Sequence, residues 1–181
     1  GGTTNLCHNA VDRHLAARAD QNALIFVSTE TGTERCYSFR ELHDEVQRMA
    51  ATLQSLGVKK GDRVLVYMPM IPEAAFAMLA CTRIGALHSV VFGGFASGSL
   101  ASRIDDATPT VIVSADAGSR SGKVMAYKPL LDEAIRLAAH KPAKVLMVDR
   151  GLAAFERTAG RDEDYAAWRQ KHLDTVVPCE W

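Results

Sequence analysis

Arg63-Val64-Leu65-Val66-Tyr67 is a short, almost wholly apolar run that follows the Lys60-Gly61-Asp62 turn, and its reading decides the fold. A strand with one wet face alternates apolar and polar residues. This run has no polar phase, so both of its faces are expected to be covered, as in a parallel sheet. Working toward the C-terminus, Pro72 and Glu73 open an apolar helix that ends at Gly85. Proline's missing amide has no partner in a first turn anyway, and a carboxylate suits the positive end of the helix dipole. Leu87-His88-Ser89-Val90-Val91 is the next strand, and it runs into the loop Phe92-Gly93-Gly94-Phe95. The pattern repeats with a helix over Leu100 to Ala107, halted before Pro109, and a strand at Val111-Ile112-Val113 that opens into a loop from Ala115 to Ala126. Lys128-Pro129 starts a helix to about His140, and Lys144 to Val148 is a further strand. Alternating strands and amphipathic helices predict an α/β fold, a mostly parallel sheet with helices on both faces.

Working toward the N-terminus, Ser38-Phe39-Arg40-Glu41 has the form of a capping box, with Leu42, Val46, Met49, Ala50 and Leu53 as one apolar stripe and Gly57 placed to end the helix. Before it, Ala23 to Ser28 and Glu34 to Tyr37 flank the turn Glu30-Thr31-Gly32-Thr33 and predict a hairpin. Asn5 precedes apolar positions at helical spacing, so a first helix is expected to about Arg18. Beyond Asp149 the chain turns polar, with a short helix around Tyr165 to Arg169 and an extended tail to Pro178. The expected organisation is residues 1–150 as an α/β N-terminal subdomain with an early hairpin, and 151–181 as a short helix and tail leading toward a further subdomain.

Composition narrows the function. Of the 181 residues, 48% are apolar and 23% charged, the balance of a soluble globular chain. Lys plus Arg equals 21 and Asp plus Glu equals 21, so no net field favours nucleic acid or an anionic membrane as a partner. Cys7, Cys36, Cys81 and Cys179 are widely spaced without a CxxC pair, so no metal site is expected, and such scattered thiols fit the reducing cytoplasm. The segment Gly1 to Asn5 lacks the basic region and apolar run of a secretory signal and reads as a chain entered partway. The apolar stretch Ile71 to Ile84 is interrupted by Glu73 and Arg83 and is too short to span a bilayer.

Two loops carry the chemical information, and both follow predicted strands, at the sheet edge where α/β folds bind ligands. In Phe92-Gly93-Gly94-Phe95 the glycines permit positive φ and a close approach to bare backbone, while the aromatics suit a flat ring. The same residues also fit a tight turn with both phenylalanines in the core. In Asp116 to Lys123, Arg120 and Lys123 flank Ser121-Gly122, an arrangement able to wrap a phosphate with amides and charge, or equally a solvated basic loop. It is not a Walker loop, because Gly118 is followed too soon by Gly122-Lys123. His88, inside an apolar strand, reads as a hydrogen-bonded core histidine. Arg103, Asp105 and Asp106 read as surface pairs and a helix end. Neighbouring motifs assemble no nucleophile, histidine and carboxylate set, so no catalytic residue is assigned.

Taken in order, Tyr67-Met68-Pro69-Met70-Ile71-Pro72-Glu73-Ala74, the stretch from Ala80-Cys81-Thr82-Arg83-Ile84-Gly85 through Phe92-Gly93-Gly94-Phe95, and Arg103-Ile104-Asp105-Asp106-Ala107 resemble the AMP-forming short-chain acyl-CoA synthetases of acetate and propionate. Tyr127-Lys128-Pro129-Leu130-Leu131-Asp132-Glu133-Ala134-Ile135 is more similar to the propionyl-CoA members. The resemblance implies one subdomain of the large N-terminal domain of an adenylate-forming ligase. It implies that a carboxylate, here propionate, is activated by ATP with Mg2+ to an acyl-adenylate and pyrophosphate, and that CoA then displaces AMP. It also implies that Phe92, Gly93 and Gly94 lie beside the adenine of CoA and that Arg120, Ser121, Gly122 and Lys123 meet its phosphate-bearing end. Lys123 stands where many acetyl-CoA relatives have arginine, which keeps the charge and removes bidentate geometry. The family's Pro-Lys-Gly phosphate loop, its acyl pocket and its catalytic lysine have no counterpart here, so the ATP and Mg2+ sites are expected outside the chain and the chain alone is expected to be inactive. Alternatives are an acetate–CoA ligase, a free-standing CoA- or nucleotide-binding module, and a flavodoxin-like regulatory domain, although the last lacks its acidic cluster or flavin loop. A homodimer through exposed apolar surface is a further expected partner state.

Overall fold

The structure, a computed structural model, describes residues 2–181. Its centre is a five-stranded, wholly parallel sheet made of β3 (Arg63–Met68), β4 (Leu87–Phe92), β5 (Val111–Ala115), β8 (Lys144–Val148) and β9 (Asp162–Asp164), in the order β4-β3-β5-β8-β9. Ahead of it come α1 (Leu6–Ala10), α2 (Leu15–Arg18), an antiparallel hairpin of β1 (Asn22–Ser28) and β2 (Thr33–Ser38), and α3 (Phe39–Ser55). The crossovers include α4 (Pro72–Arg83), α5 (Ser97–Ala107) and α6 (Tyr127–Leu137), and α7 (Tyr165–Lys171) follows the last strand.

The unbroken apolar phase of β3 has the expected cause. Val64, Val66 and Met68 enter the core formed with α3 and α4, while Leu65 and Tyr67 enter the opposite core with α5 and α6. Val64, Leu65 and Val66 are 0% exposed. Each such burial contributes about 1.5–3 kcal/mol. The helix signals also appear as read. Ser38 Oγ accepts from the Glu41 amide at 3.2 Å while the Ser38 amide donates to Glu41 Oε2 at 2.8 Å. Pro72 is the first residue of α4.

Three local readings are corrected. The first helix is broken at Val11 (φ −127, ψ −66), which sends Val11 into the core and Asp12 onto the Arg83 guanidinium. The stretch Ala115 to Ala126 is not a loop: β6 (Ala117–Arg120) and β7 (Lys123–Ala126) form an antiparallel hairpin. Ser121 (φ 52) and Gly122 (φ 74) make the two-residue turn, the doubly left-handed geometry whose twist matches a hairpin. His88 is not a core residue. Because β4 is the sheet's edge, the His88 ring is exposed and has no hydrogen-bond partner among the described residues.

The segment after β8 returns to the body. β9 adds to the sheet beside β8, α7 packs against α3, and the tail is held by hydrogen bonds, with the Arg83 side-chain Nε donating to Val177 O at 2.6 Å and the Glu180 amide to Arg83 O at 2.7 Å. Among the described residues no helix is long and apolar enough to cross a membrane.

Candidate functional site

All five strands of the sheet are parallel, so β3, β4 and β5 release their loops on one side. There Pro69-Met70 after β3, Phe92-Gly93-Gly94 at the end of β4, and Gly118-Ser119 of β6 surround a cavity of about 340 Å3, closed on the remaining side by the end of β1. The Phe92–Gly94 loop and the Gly118-Ser119 start of the second stretch thus line the same cavity, while residues 121–123 do not.

Tyr127, the first residue of α6, joins them. A Cβ built on Gly93 would lie 2.1 Å from Tyr127 Oη, and one built on Gly118 would lie 2.4 Å from the same atom. Both glycines exist because the phenol is wedged against bare backbone from two sides. Neither adopts a positive φ, so the expectation that Gly93 and Gly94 serve backbone freedom gives way to close approach as the reason for Gly93. The wedge is itself supported. The Tyr127 ring lies 5.0 Å from that of Tyr67, and its amide donates to Asp116 O at 2.8 Å. Tyr67 is 0% exposed, and its hydroxyl donates to Phe95 O at 3.4 Å, tethering the loop after β4. Burial, with Tyr127 alongside, pushes the Tyr67 phenol up to about 12, so it remains a donor across the working range of pH.

The phenylalanines do not enter the core. Phe92 is 61% exposed, lines the cavity, and meets Phe95 edge-on with ring centroids 6.3 Å apart. An exposed aromatic face over a glycine-floored cleft suits a planar heterocycle. Ser121, Gly122 and Lys123 form the exposed tip of the β6–β7 hairpin rather than its lining, so any contact they make is with a ligand that extends out of the cavity. The Arg120 backbone pairs with Lys123, while the Arg120 side chain lies outside what is described.

An ion pair that sequence reading missed fixes the hairpin. Glu30, in the turn after β1, accepts from the Ser119 amide at 2.7 Å through Oε1 and from Arg150 through Oε2, and Arg150 Nη1 donates to Ala117 O at 2.8 Å. Burial acts to raise the Glu30 carboxyl, but Arg150 and the Ser119 amide outweigh it and hold it below the usual carboxylate range. Its partners lie far apart in sequence, so no local pattern announces the bond. Asp116, 0% exposed, similarly pins the segment after β8 by accepting from the Leu152 and Ala153 amides through Oδ2. Among the described residues no histidine or cysteine lines the cavity, and its one carboxylate, Glu30, is committed to Arg150. The remaining polar side chains on the lining are the hydroxyls of Ser28, Thr29, Ser119 and Tyr127.

The family model described as AMP-binding enzyme matches residues 11–179. The chain is 61% identical over 180 residues to the propionate–CoA ligase of Escherichia coli strain K12, an alignment that covers 99% of this chain and 29% of that protein. It is 50% identical over 165 residues to an acetyl-coenzyme A synthetase of Methylobacterium radiotolerans, covering 91% of this chain and 26% of the relative. The solved acetoacetyl-CoA synthetase of Streptomyces lividans superposes with a TM-score of 0.86 at 28% identity, over 99% of this chain and 27% of that one. The chain thus spans under a third of the length of the proteins it matches.

Proposed function

The chain belongs to the AMP-binding enzyme family, and from that membership we propose that it is part of an AMP-forming propionate–CoA ligase to which it contributes one wall of the CoA site. In the full-length enzyme an oxygen of propionate attacks the α-phosphorus of ATP and expels pyrophosphate. The CoA sulfur then attacks the acyl carbon of the adenylate and expels AMP. The observation that supports the coenzyme role is the convergence of the Phe92–Gly94 loop and the β6–β7 hairpin on Tyr127 around one cavity. Phe92 offers a ring face to the adenine and Gly94 leaves exposed backbone beside it, while Gly93, filled by the Tyr127 phenol, shapes the floor beneath. The hairpin tip of Ser121, Gly122 and Lys123, which follows Arg120 at the end of β6, meets the phosphate-bearing end, with Lys123 acting as a point charge rather than a fork.

ATP and Mg2+ are assigned to the remainder of the polypeptide. Mg2+ takes oxygen donors in octahedral array. The one clustered set of metal-type donors among the described residues is Cys7, Asp12 and Cys179, whose thiols are the wrong chemistry and whose carboxylate is already paired with Arg83. Propionate is preferred to acetate as the substrate because identity is higher to the propionate-named relative, 61% against 50%. One methylene is worth only about 1–3 kcal/mol of discrimination, so kcat/KM for the two acids on the full-length enzyme decides between them. A cytoplasmic location without nucleic-acid or membrane partners is the reading that the balanced charge and scattered cysteines support.

The test separates the two half-reactions. In the full-length enzyme, Phe92→Ala and Lys123→Ala are expected to raise KM for CoA while leaving propionate-dependent ATP–pyrophosphate exchange intact. Loss of exchange with an unchanged KM for CoA would remove the coenzyme assignment. The isolated 181-residue chain is expected to show no exchange.

A further inference from the structure

Away from the cavity, three donor atoms converge where α1 meets the tail. Cys7 Sγ, Cys179 Sγ and an Asp12 carboxylate oxygen lie within 4.8 Å of one another. The sulfurs reach the same carboxylate from opposite ends of the sequence, Cys7 at 3.8 Å from Oδ2 and Cys179 at 3.9 Å from Oδ1. A cation is the first occupant such a set brings to mind, and the local charge opposes it. Both Asp12 oxygens accept from the Arg83 guanidinium at 2.9 Å, and Arg83 Nη1 also lies 3.4 Å from Cys7 Sγ. The Arg83 side chain is only 4% exposed, and His43 Nε2 stands 3.6 Å from Asp12 Oδ1, so a metal ion would face a buried guanidinium beside its carboxylate ligand.

What remains is two thiols whose sulfurs lie within 4.8 Å of each other. We propose that Cys7 and Cys179 are a modification site, a vicinal pair that closes to an intramolecular disulfide on exchange with a small-molecule disulfide such as glutathione disulfide.

Accessibility sets the order of steps. Cys7 is 0% exposed, whereas Cys179 is partly exposed on the tail, so the bulky reagent meets Cys179 first. The Cys179 sulfur, having given up its proton, attacks one sulfur of the reagent; the S–S bond breaks and one glutathione thiolate leaves and takes up a proton. The Cys7 sulfur then attacks Cys179 Sγ of the mixed disulfide and releases the second glutathione. Two protein thiols and one small disulfide become one protein disulfide and two small thiols, with no electron unaccounted for. The Arg83 contact with Cys7 Sγ favours the thiolate the second step needs. Burial works against it, pushing the Cys7 thiol up to about 12, which slows the closing step. The bond would staple the tail to α1, two segments now joined by non-covalent contacts such as Asn5 Nδ2 to Glu180 O at 2.7 Å and the His8 ring 4.9 Å from that of Trp181. Among the described residues neither Cys36, which is exposed, nor Cys81, 0% exposed in the apolar core, has such a neighbour; Cys81 serves as the internal control, and Cys36 is removed so that its exposed thiol does not compete for the reagent.

The full-length protein carrying Cys36→Ser is incubated with glutathione disulfide, alkylated, and mapped by peptide mass spectrometry. The expected product is a Cys7–Cys179 cross-linked peptide that reductant abolishes, with a higher urea midpoint for the oxidised form. Cys7→Ser is expected to trap glutathione on Cys179, and Cys179→Ser, at the less buried position, is expected to leave Cys7 an unmodified thiol. The proposal is overturned if the parent accumulates glutathione on Cys179 without the cross-link, or if Cys179→Ser is modified at Cys7 as fast as the parent.

Discussion

Gly93 and Gly118 meet the same tyrosine, but they differ in how much of it they meet, and that difference makes the wedge testable. Beside a Cβ on Gly118 the near atoms are Tyr127 Oη at 2.4 Å and Cζ at 3.0 Å. Beside one on Gly93 they are Oη at 2.1 Å, Cζ at 2.5 Å and Cε2 at 2.8 Å. Gly118→Ala and Gly93→Ala should each cost about 1–3 kcal/mol through overpacking. Adding Tyr127→Phe deletes only the oxygen. It should restore most of the urea stability of the Gly118 variant and little of the Gly93 variant, where ring carbons still collide. Asp12 supplies a second residue-level prediction. Burial acts to raise its carboxyl, yet His43 and Arg83 hold it well below the ordinary range. A depressed carboxyl contributes fully above its ordinary value near 4 and loses that contribution as pH falls through the lowered one. Asp12→Asn leaves Arg83 buried and unpaired and should cost about 3–5 kcal/mol at neutral pH, with the gap to the parent narrowing in strong acid. Urea titrations across pH measure both the cost and the sign.

At the level of elements, the capping box and the hairpin latch differ in reach. Ser38→Ala removes one bond to the Glu41 amide at the start of α3 and should cost about 1 kcal/mol in thermal or urea unfolding. Glu30→Ala should change global stability less but free the Ser119 amide, whose hydrogen exchange is expected to accelerate while amides of β3 keep their protection. These two cases also explain what the sequence disclosed. A capping box lies within four residues and is written in the local pattern. The sheet centre was equally legible, because burial on both faces leaves β3 without a polar phase. The Glu30–Arg150 pair and the meeting of Gly93, Gly118 and Tyr127 are products of tertiary distance and leave no periodic trace. The β6–β7 hairpin was hidden for a local reason: its turn places Ser121, not glycine or asparagine, at φ 52. The candidate loops could be named from composition and position, but not the tyrosine that holds them together.

For the whole molecule, the informative feature is an edge. Strands of a parallel sheet are normally covered, and natural edges are blunted by charge, proline or a bulge. β4 has none of these devices, and Leu87, Val90 and Phe92 on it are 57%, 57% and 61% exposed. Periodicity cannot tell a central apolar strand from an edge one, which is why His88 was misplaced. The first hairpin likewise shows Ile25 and Val27 to solvent at 61% and 63%. Since the chain spans 29% of the Escherichia coli relative, these surfaces are expected to meet other parts of the full polypeptide and to be sticky without them. The isolated chain should therefore self-associate as its concentration rises, observed as a growing sedimentation coefficient. Val90→Lys places a charge in the middle of the open edge and should return the chain to a monomer without altering its far-ultraviolet circular dichroism. Retention of the same association by Val90→Lys, together with its loss in Val27→Lys, would move the interface from β4 to the hairpin.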